Sequence, residues 1–214
     1  IEVRSHTEFR VIGRTRDDAA GECFDKCARV LGFPYPGGVH IDRAAREGNP
    51  EGYALPRPTV AGSAYDMSFS GLKTAVINLA HNARQKGESL RSADLAASVQ
   101  HRIAGMLTEK TMAAARDLGY RAIAAAGGVC ANTGVRQALT EACDKAGYTL
   151  YMPPLSLCGD NGAMIACQGY FNYLAGMRGG PELNAIATLS IEEHLAALRE
   201  FAETTALNRV ELSE

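Results

Sequence analysis

The sequence has no excess of either charge, no long apolar run, and no Cys-x-x-Cys, His-x-x-x-His or His-Glu-x-x-His spacing. Each absence excludes a class. Twenty-two Lys and Arg face 24 Asp and Glu, a net charge of −2 over 214 residues. Strong unaided binding of nucleic acid draws on a basic surface that releases counterions, so this balance argues against it. A local basic patch stays open, with Arg57, Lys73, Arg84 and Lys86 as contributors. No stretch approaches the roughly 18 apolar residues of a membrane-spanning helix, so no membrane is expected as a partner. The cysteines Cys23, Cys27, Cys130, Cys143, Cys158 and Cys167 lack the pairing of a zinc or thioredoxin-like site. They read as small buried thiols, and the expected location is the reducing cytoplasm. His6, His40, His81, His101 and His194 read as surface or packing residues, and these side chains alone build no metal site. A metallopeptidase would need an activated water and a general base, which the missing His-Glu-x-x-His does not supply. There is no internal repeat and no low-complexity segment.

What is present is a globular composition, 46% apolar and 21% charged, long enough for a sizeable core in one large domain or two small lobes. Ile1-Glu2-Val3 alternates like a strand already under way, so the natural protein is expected to begin further upstream. Residues 1–3 and 9–12 read as strands around a polar turn. Thr15 is expected to cap a helix with Asp18 at the capping-box position, its apolar stripe being Ala20, Phe24, Cys27 and Leu31. Pro34-Tyr35-Pro36-Gly37-Gly38 reads as a turn and residues 41–47 as a short helix. Residues 49–64, rich in Pro and Gly, are loop. Helices are expected over 70–83 and 94–118. From residue 119 the pattern becomes strand (121–126), helix (132–146), strand (148–152), helix (161–174). Such alternation implies an α/β fold with a largely parallel sheet. Residues 190–214 read as a helical C-terminal tail striped by Leu195, Leu198 and Phe201, leaving 1–189 as the main domain.

Three places concentrate chemistry. Residues 17–26, Asp-Asp-Ala-Ala-Gly-Glu-Cys-Phe-Asp-Lys, combine four carboxylates with small residues where a core helix would carry bulk. Capping and the helix dipole account for Asp17 and Asp18, but not for Asp25. Ala19-Ala20-Gly21 suggest close approach of something polar, with Gly37-Gly38 and Asp42 as the opposite wall. A carboxylate beside a nucleotide accepts from ribose hydroxyls. The second place is Ala126-Gly127-Gly128-Val129-Cys130-Ala131-Asn132, between a strand and a helix. Ligands in open α/β sheets bind beyond the carboxyl ends of strands, and glycines there admit close backbone approach. A nucleotide contact through Gly127, Gly128 and Asn132 and a purely structural turn are equally open. The third is Leu157-Cys158-Gly159-Asp160-Asn161. The residues alone favour Asp160 as an N-cap over a metal or phosphate contact.

Five segments in this order, 17–26, Tyr-Pro-Gly-Gly at 35–38, Phe-Ser-Gly-Leu-Lys-Thr-Ala at 69–75, 126–132 and Asp-Asn-Gly-Ala-Met-Ile-Ala at 160–166, resemble the TsaD family of tRNA threonylcarbamoyladenosine transferases, formerly described as glycoproteases. The resemblance covers about residues 9–176. It implies the actin-like ATPase (ASKHA) fold, of which this chain holds mostly the C-terminal lobe with helical insertions. It implies an acyltransferase that moves threonylcarbamoyl from threonylcarbamoyl-adenylate to N6 of the adenosine 3′ to the anticodon in tRNAs reading ANN codons. By motif, Asp25, Gly38 and Asp42 would hold the ribose side, Gly127, Gly128 and Asn132 the nucleotide, and Asp160 a divalent metal, Fe2+ or Zn2+. Partners implied are tRNA and TsaB-like and TsaE-like proteins. The family's His-x-x-x-His and Ser-Gly-Gly-His-Thr segments are absent here, and Ser5-His6-Thr7 sits in the wrong place to replace them. The chain is therefore expected to be inactive alone and to bind metal weakly. Two other readings compete. One is a different phosphotransferase of the actin-like fold, which would share the glycine turn but not residues 17–26 or 69–75. The other is a non-catalytic partner of the same fold, which should have lost Asp25, Gly38, Asn132 and Asp160.

Overall fold

The computed structural model describes residues 1–180 together with 184, 186, 187, 189–193 and 196. In chain order its elements are β1 (Glu2–Ser5), β2 (Glu8–Arg10), α1 (Ala20–Val30), α2 (Gly37–Ala45), α3 (Ser70–Lys86), α4 (Ser92–Asp117), β3 (Ala122–Ala124), α5 (Thr133–Ala146), β4 (Thr149–Tyr151) and α6 (Gly162–Leu174). They fall into two compact units, one of residues 13–160 and one of residues 1–12 with those from 161 onward.

In the larger unit, α4 is the spine. Leu95, Val99 and Ile103 recur every four residues and Met106 follows at three, all buried, so one stripe of the helix faces inward. Against it pack Cys23, Phe24 and Cys27 of α1, Ile41 of α2, and Leu72 and Val76 of α3. On a second face of α4, Ala104 meets Val135 and Leu139 of α5. Ala115, Ile123 and Cys143 close the end of the helix over β3. The loop before α3 is tied down rather than free. Asp94 Oδ1 accepts from the Asn49 amide at 2.8 Å, and Ser98 Oγ accepts from the Tyr53 amide at 3.1 Å. Strands β3 and β4 pair in parallel, Ile123 opposite Leu150. Helix α5 ends at Gly147 with φ +68, a left-handed conformation that glycine adopts without the clash of a Cβ.

In the smaller unit, β1 and β2 form an antiparallel hairpin with Val3 opposite Phe9. The His6 carbonyl accepts from Gln168 Nε2 at 2.9 Å, and the His6 ring stacks on Phe171 at 3.8 Å. No residue of α6 is buried, and Ile165, Tyr170, Tyr173 and Leu174 are exposed. Among the described residues no helix is long and apolar enough to cross a membrane.

The structure corrects several expectations. The parallel sheet is one two-stranded pair, and the other described sheet is the hairpin. Thr15 does not begin α1. Its hydroxyl donates to the Asp18 carbonyl at 2.8 Å in a local turn, so Asp17 and Asp18 precede the helix instead of opening it. Residues 37 and 38, expected in a turn, start α2, because a side chain elsewhere satisfies their amides. Asn161, not Asp160, caps α6, accepting from the Met164 amide at 3.0 Å. Of the expected tail, residues 191–193 and 196 are helical. Ser190 is described and not helical; the other residues of the tail, with Leu195, Leu198, Phe201 and also His194, lie outside the described residues.

Candidate functional site

Of the two carboxylates that stand ahead of α1, Asp17 turns away from it and Asp18 pairs with its Lys26. Asp17 Oδ1 accepts from the amides of Phe69 (2.8 Å) and Ser70 (3.2 Å), and Oδ2 from the hydroxyls of Ser68 and Ser70. Asp17 thus caps α3 from a distance in sequence. Burial pushes its pKa up, but the donated bonds from Ser68, Ser70 and the two amides prevail and bring it down to about 2. Asp18 is bonded by Lys26 at 2.6 Å and has Lys73 at 2.9 Å, and these two cations, Lys26 first, lower its pKa. Lys73 is thereby spent on Asp18, and Arg57 pairs with Glu109. Of the four residues read as a basic patch, Arg84 and Lys86 remain exposed at the end of α3.

Asp25 behaves differently. It lies one helical turn further along α1, half-buried, and its Oδ1 accepts from the amides of Gly37 (2.7 Å) and Gly38 (3.3 Å). These amides are orphan donors at the start of α2, and the carboxylate also meets the positive end of that helix. The approach requires glycine at 37, since a Cβ there would lie 2.4 Å from the Ala28 Cβ. Asp42, one turn into α2, reaches the start of α5. Its Oδ1 accepts from the amide (2.9 Å) and hydroxyl (2.6 Å) of Thr133, while Oδ2 faces Arg46 at 3.4 Å.

The glycine turn follows β3. Gly127 has φ +88, and residues 128–131 make one tight turn before Asn132. Asn132 is buried and N-caps α5. Its Oδ1 accepts from the Val135 amide at 3.0 Å, and its Nδ2 donates to Gln100 Oε1 at 2.9 Å. The side chain read as a nucleotide contact is engaged within the protein, so what it offers a ligand is the shape of the turn. Arg136 supports the same turn, donating from Nη1 to the Cys130 carbonyl at 3.0 Å and from Nη2 to the Pro153 carbonyl at 3.0 Å.

Between these parts lies a cavity of about 550 Å³. The start of α1 contributes Gly21, Phe24 and Asp25. The start of α2 contributes Gly38 and Asp42, and the glycine turn contributes Gly128, Val129 and Asn132. Five of the seven residues singled out from sequence therefore line one space. Gly127 adjoins it without lining it. Asp160 is exposed in the loop after β4 and is not part of this wall. The small residues at 19–21 do admit a close neighbour, and part of it is protein: a Cβ on Gly21 would sit 3.4 Å from Val129.

Among the described residues no group of three or more His, Cys, Asp or Glu side chains could hold a metal ion. Asp160 alone does not fit a complete site. Cys23 and Cys27 are fully buried; their mutual contact, then burial, pushes the Cys27 thiol far up, as suits inert core thiols. Sequence reading missed Gln100, Thr133 and Arg136. Gln100 carried a signal, since it recurs with Ala96 and Ala104 on a buried face of α4 where an amide needs a partner.

A family profile described as TsaD: tRNA N6-adenosine threonylcarbamoyltransferase matches residues 1–167. The chain belongs to the TsaD family. All five segments quoted above fall inside that span. The chain is 48% identical over 191 residues to the tRNA N6-adenosine threonylcarbamoyltransferase of Moorella thermoacetica, covering 89% of this chain and 56% of the relative. It is 50% identical over 186 residues to that of Geobacillus thermodenitrificans, covering 86% and 54%. The chain thus spans about half the length of the curated TsaD relatives it matches. Its structure resembles a crystal structure of full-length HypF in the phosphate- and nucleotide-bound form, with a TM-score of 0.52 and 14% identity, over 72% of this chain and 20% of that one. At that identity the likeness speaks to the α/β fold alone.

Proposed function

We propose that this chain carries the nucleotide half of a transferase site that moves threonylcarbamoyl from its adenylate to N6 of the adenosine 3′ to the anticodon in tRNAs reading ANN codons. One observation carries the reading. The cavity gathers Asp25, Gly38, Asp42, Gly128 and Asn132 from three separate segments, within a chain of the TsaD family. Partly apolar walls suit an adenine, and the two carboxylates suit ribose hydroxyls, which donate to them.

Charge gives the bound adenylate a direction. Asp25 and Asp42 would repel a phosphate, and Asp25 already occupies the amides of Gly37 and Gly38. The phosphate end would therefore point toward the glycine turn at Gly127 and Gly128, where the backbone admits close approach, since Asp42 and Asn132 already hold the amides of Thr133 and Val135 at the start of α5. Adenylate is the leaving group in this transfer, so its developing charge needs stabilisation more than the protein needs a nucleophile. Asp160, in the loop after β4, is proposed as one ligand of a divalent metal, Fe2+ or Zn2+, completed by residues outside these 214. When bound, such an ion supplies Lewis-acid stabilisation of charge on the substrate. We further propose the actin-like ATPase fold for the complete protein, with tRNA as substrate, TsaB-like and TsaE-like proteins as partners, and the cytoplasm as its place.

The test is nucleoside mass spectrometry of tRNA after depletion of the encoding gene. The threonylcarbamoyl group should disappear from that adenosine and return with the complete gene. Unchanged tRNA modification would refute the reading and favour another phosphotransferase of the same fold.

A further inference from the structure

We propose that Arg136 is a positioning residue that locks the glycine turn and the Asp160 loop to one another; the role rests on the reading of those two segments as parts of one transferase site. Arg136 stands in the first turn of α5, where the positive end of the helix dipole disfavours a cation. Local helix preference therefore does not account for it. Its guanidinium spans two chain segments instead. Nη1 donates to the Cys130 carbonyl and Nη2 to the Pro153 carbonyl, both at 3.0 Å. The same Nη1 lies 3.8 Å from the Cys130 sulfur and 3.7 Å from the Cys158 sulfur, and both thiols are buried.

The need for such a lock follows from the brevity of the sheet. Strands β3 and β4 are three residues each. The Ala125 amide to the Tyr151 carbonyl, at 2.9 Å, is their last backbone bond in the carboxyl direction. Beyond it, Arg136 bonds to the Cys130 carbonyl in one segment and to the Pro153 carbonyl in the other, beside the contact between the Cys130 and Cys158 thiols. A planar fork can serve two carbonyls on diverging segments at once, whereas a lysine ammonium is a point donor on a flexible stem. The charge could be kept by lysine, but the two-segment geometry could not. A ligand phosphate settling against Gly128 would therefore be felt at Gly159 and Asp160 by way of the Arg136 guanidinium.

The experiment uses the ¹⁵N-labelled 214-residue chain, with AMP as the probe. In the ligand-free wild type, the Nη protons of Arg136 should resolve individually at low temperature, and averaging to one signal would overturn the lock. Arg136→Lys should shift or broaden the amides of Gly159 and Asp160 as well as Cys130, while Leu139 and Cys143 further along α5 keep theirs. Changes confined to residues 128–136 would overturn the proposal. AMP should move amides of Gly127, Gly128, Gly159 and Asp160 together in the wild type, but only those of the glycine turn in Arg136→Lys. Movement of the glycine turn alone in the wild type would also overturn it. If AMP moves none of them, the nucleotide reading fails by itself, and the ligand-free spectra still decide the lock.

Discussion

Asp17 and Asp25 share one short segment and do different work. Asp17 fastens residues 68–70 to the approach of α1 through four accepted hydrogen bonds. Losing a helix-capping carboxylate costs on the order of 1 kcal/mol, so Asp17→Ala should lower the unfolding free energy obtained from urea denaturation by about that amount. Its pH dependence has a definite sign. The folded pKa, about 2, lies below the unfolded value of about 3.9, so the unfolded chain takes the proton more readily. The stabilisation is therefore complete above roughly pH 4 to 5 and fades as pH falls toward about 2. The stability gap between wild type and Asp17→Ala should close over that window and stay constant from pH 6 to 8. The density of carboxylates was legible in the sequence, and so was Asp25 as the one that capping of α1 cannot explain. The partners of Asp17 were not, because they lie some 50 residues away. Local pattern carries no information about which distant amide an acid will reach.

At the level of elements, the cavity exists because α1 and α2 cross closely at Gly37. A methyl group there would meet the Ala28 Cβ at 2.4 Å and the Asp25 Cα at 2.9 Å. Neither is a flexible side-chain end, so Gly37→Ala should destabilise by about 1–3 kcal/mol, the usual range for overpacking. It should also weaken nucleotide binding by displacing Asp25. Gly38→Ala, whose added methyl would meet only the Phe24 Cβ at 3.9 Å, should leave stability nearly unchanged. Thermal denaturation of the pair checks the contrast. The helices from α3 to α6 stand within a few residues of the ranges expected, 70–83, 94–118, 132–146 and 161–174. The start of α2 did not, because its cap comes from Asp25 on another helix rather than from a residue just ahead of it. The sheet was over-read for a similar reason. Short apolar runs at 122–124 and 149–151 show strand character, but alternation does not report how many strands join them.

At the scale of the whole molecule, the proposed function makes this chain one wall of a site. It spans about half of its TsaD relatives, and Asp160 stands without two further ligand side chains among the described residues. The 214-residue chain incubated with threonylcarbamoyl-adenylate and tRNA should accordingly show no transfer, read by mass spectrometry of the digested tRNA. It should still bind the nucleotide end of that substrate, because Asp25, Asp42 and the glycine turn are held in place by contacts internal to residues 13–160. Asp25→Asn keeps an oxygen for the amides of Gly37 and Gly38 while removing the charge. A hydrogen bond to a charged group contributes about 1.5–3 kcal/mol, which is roughly tenfold or more in affinity. The most direct test is calorimetric titration of AMP into the wild-type chain and into Asp25→Asn. One saturable site is expected in the wild type, weakened at least about tenfold in the variant; equal affinity in both, or no binding to either, would contradict the proposed role of Asp25.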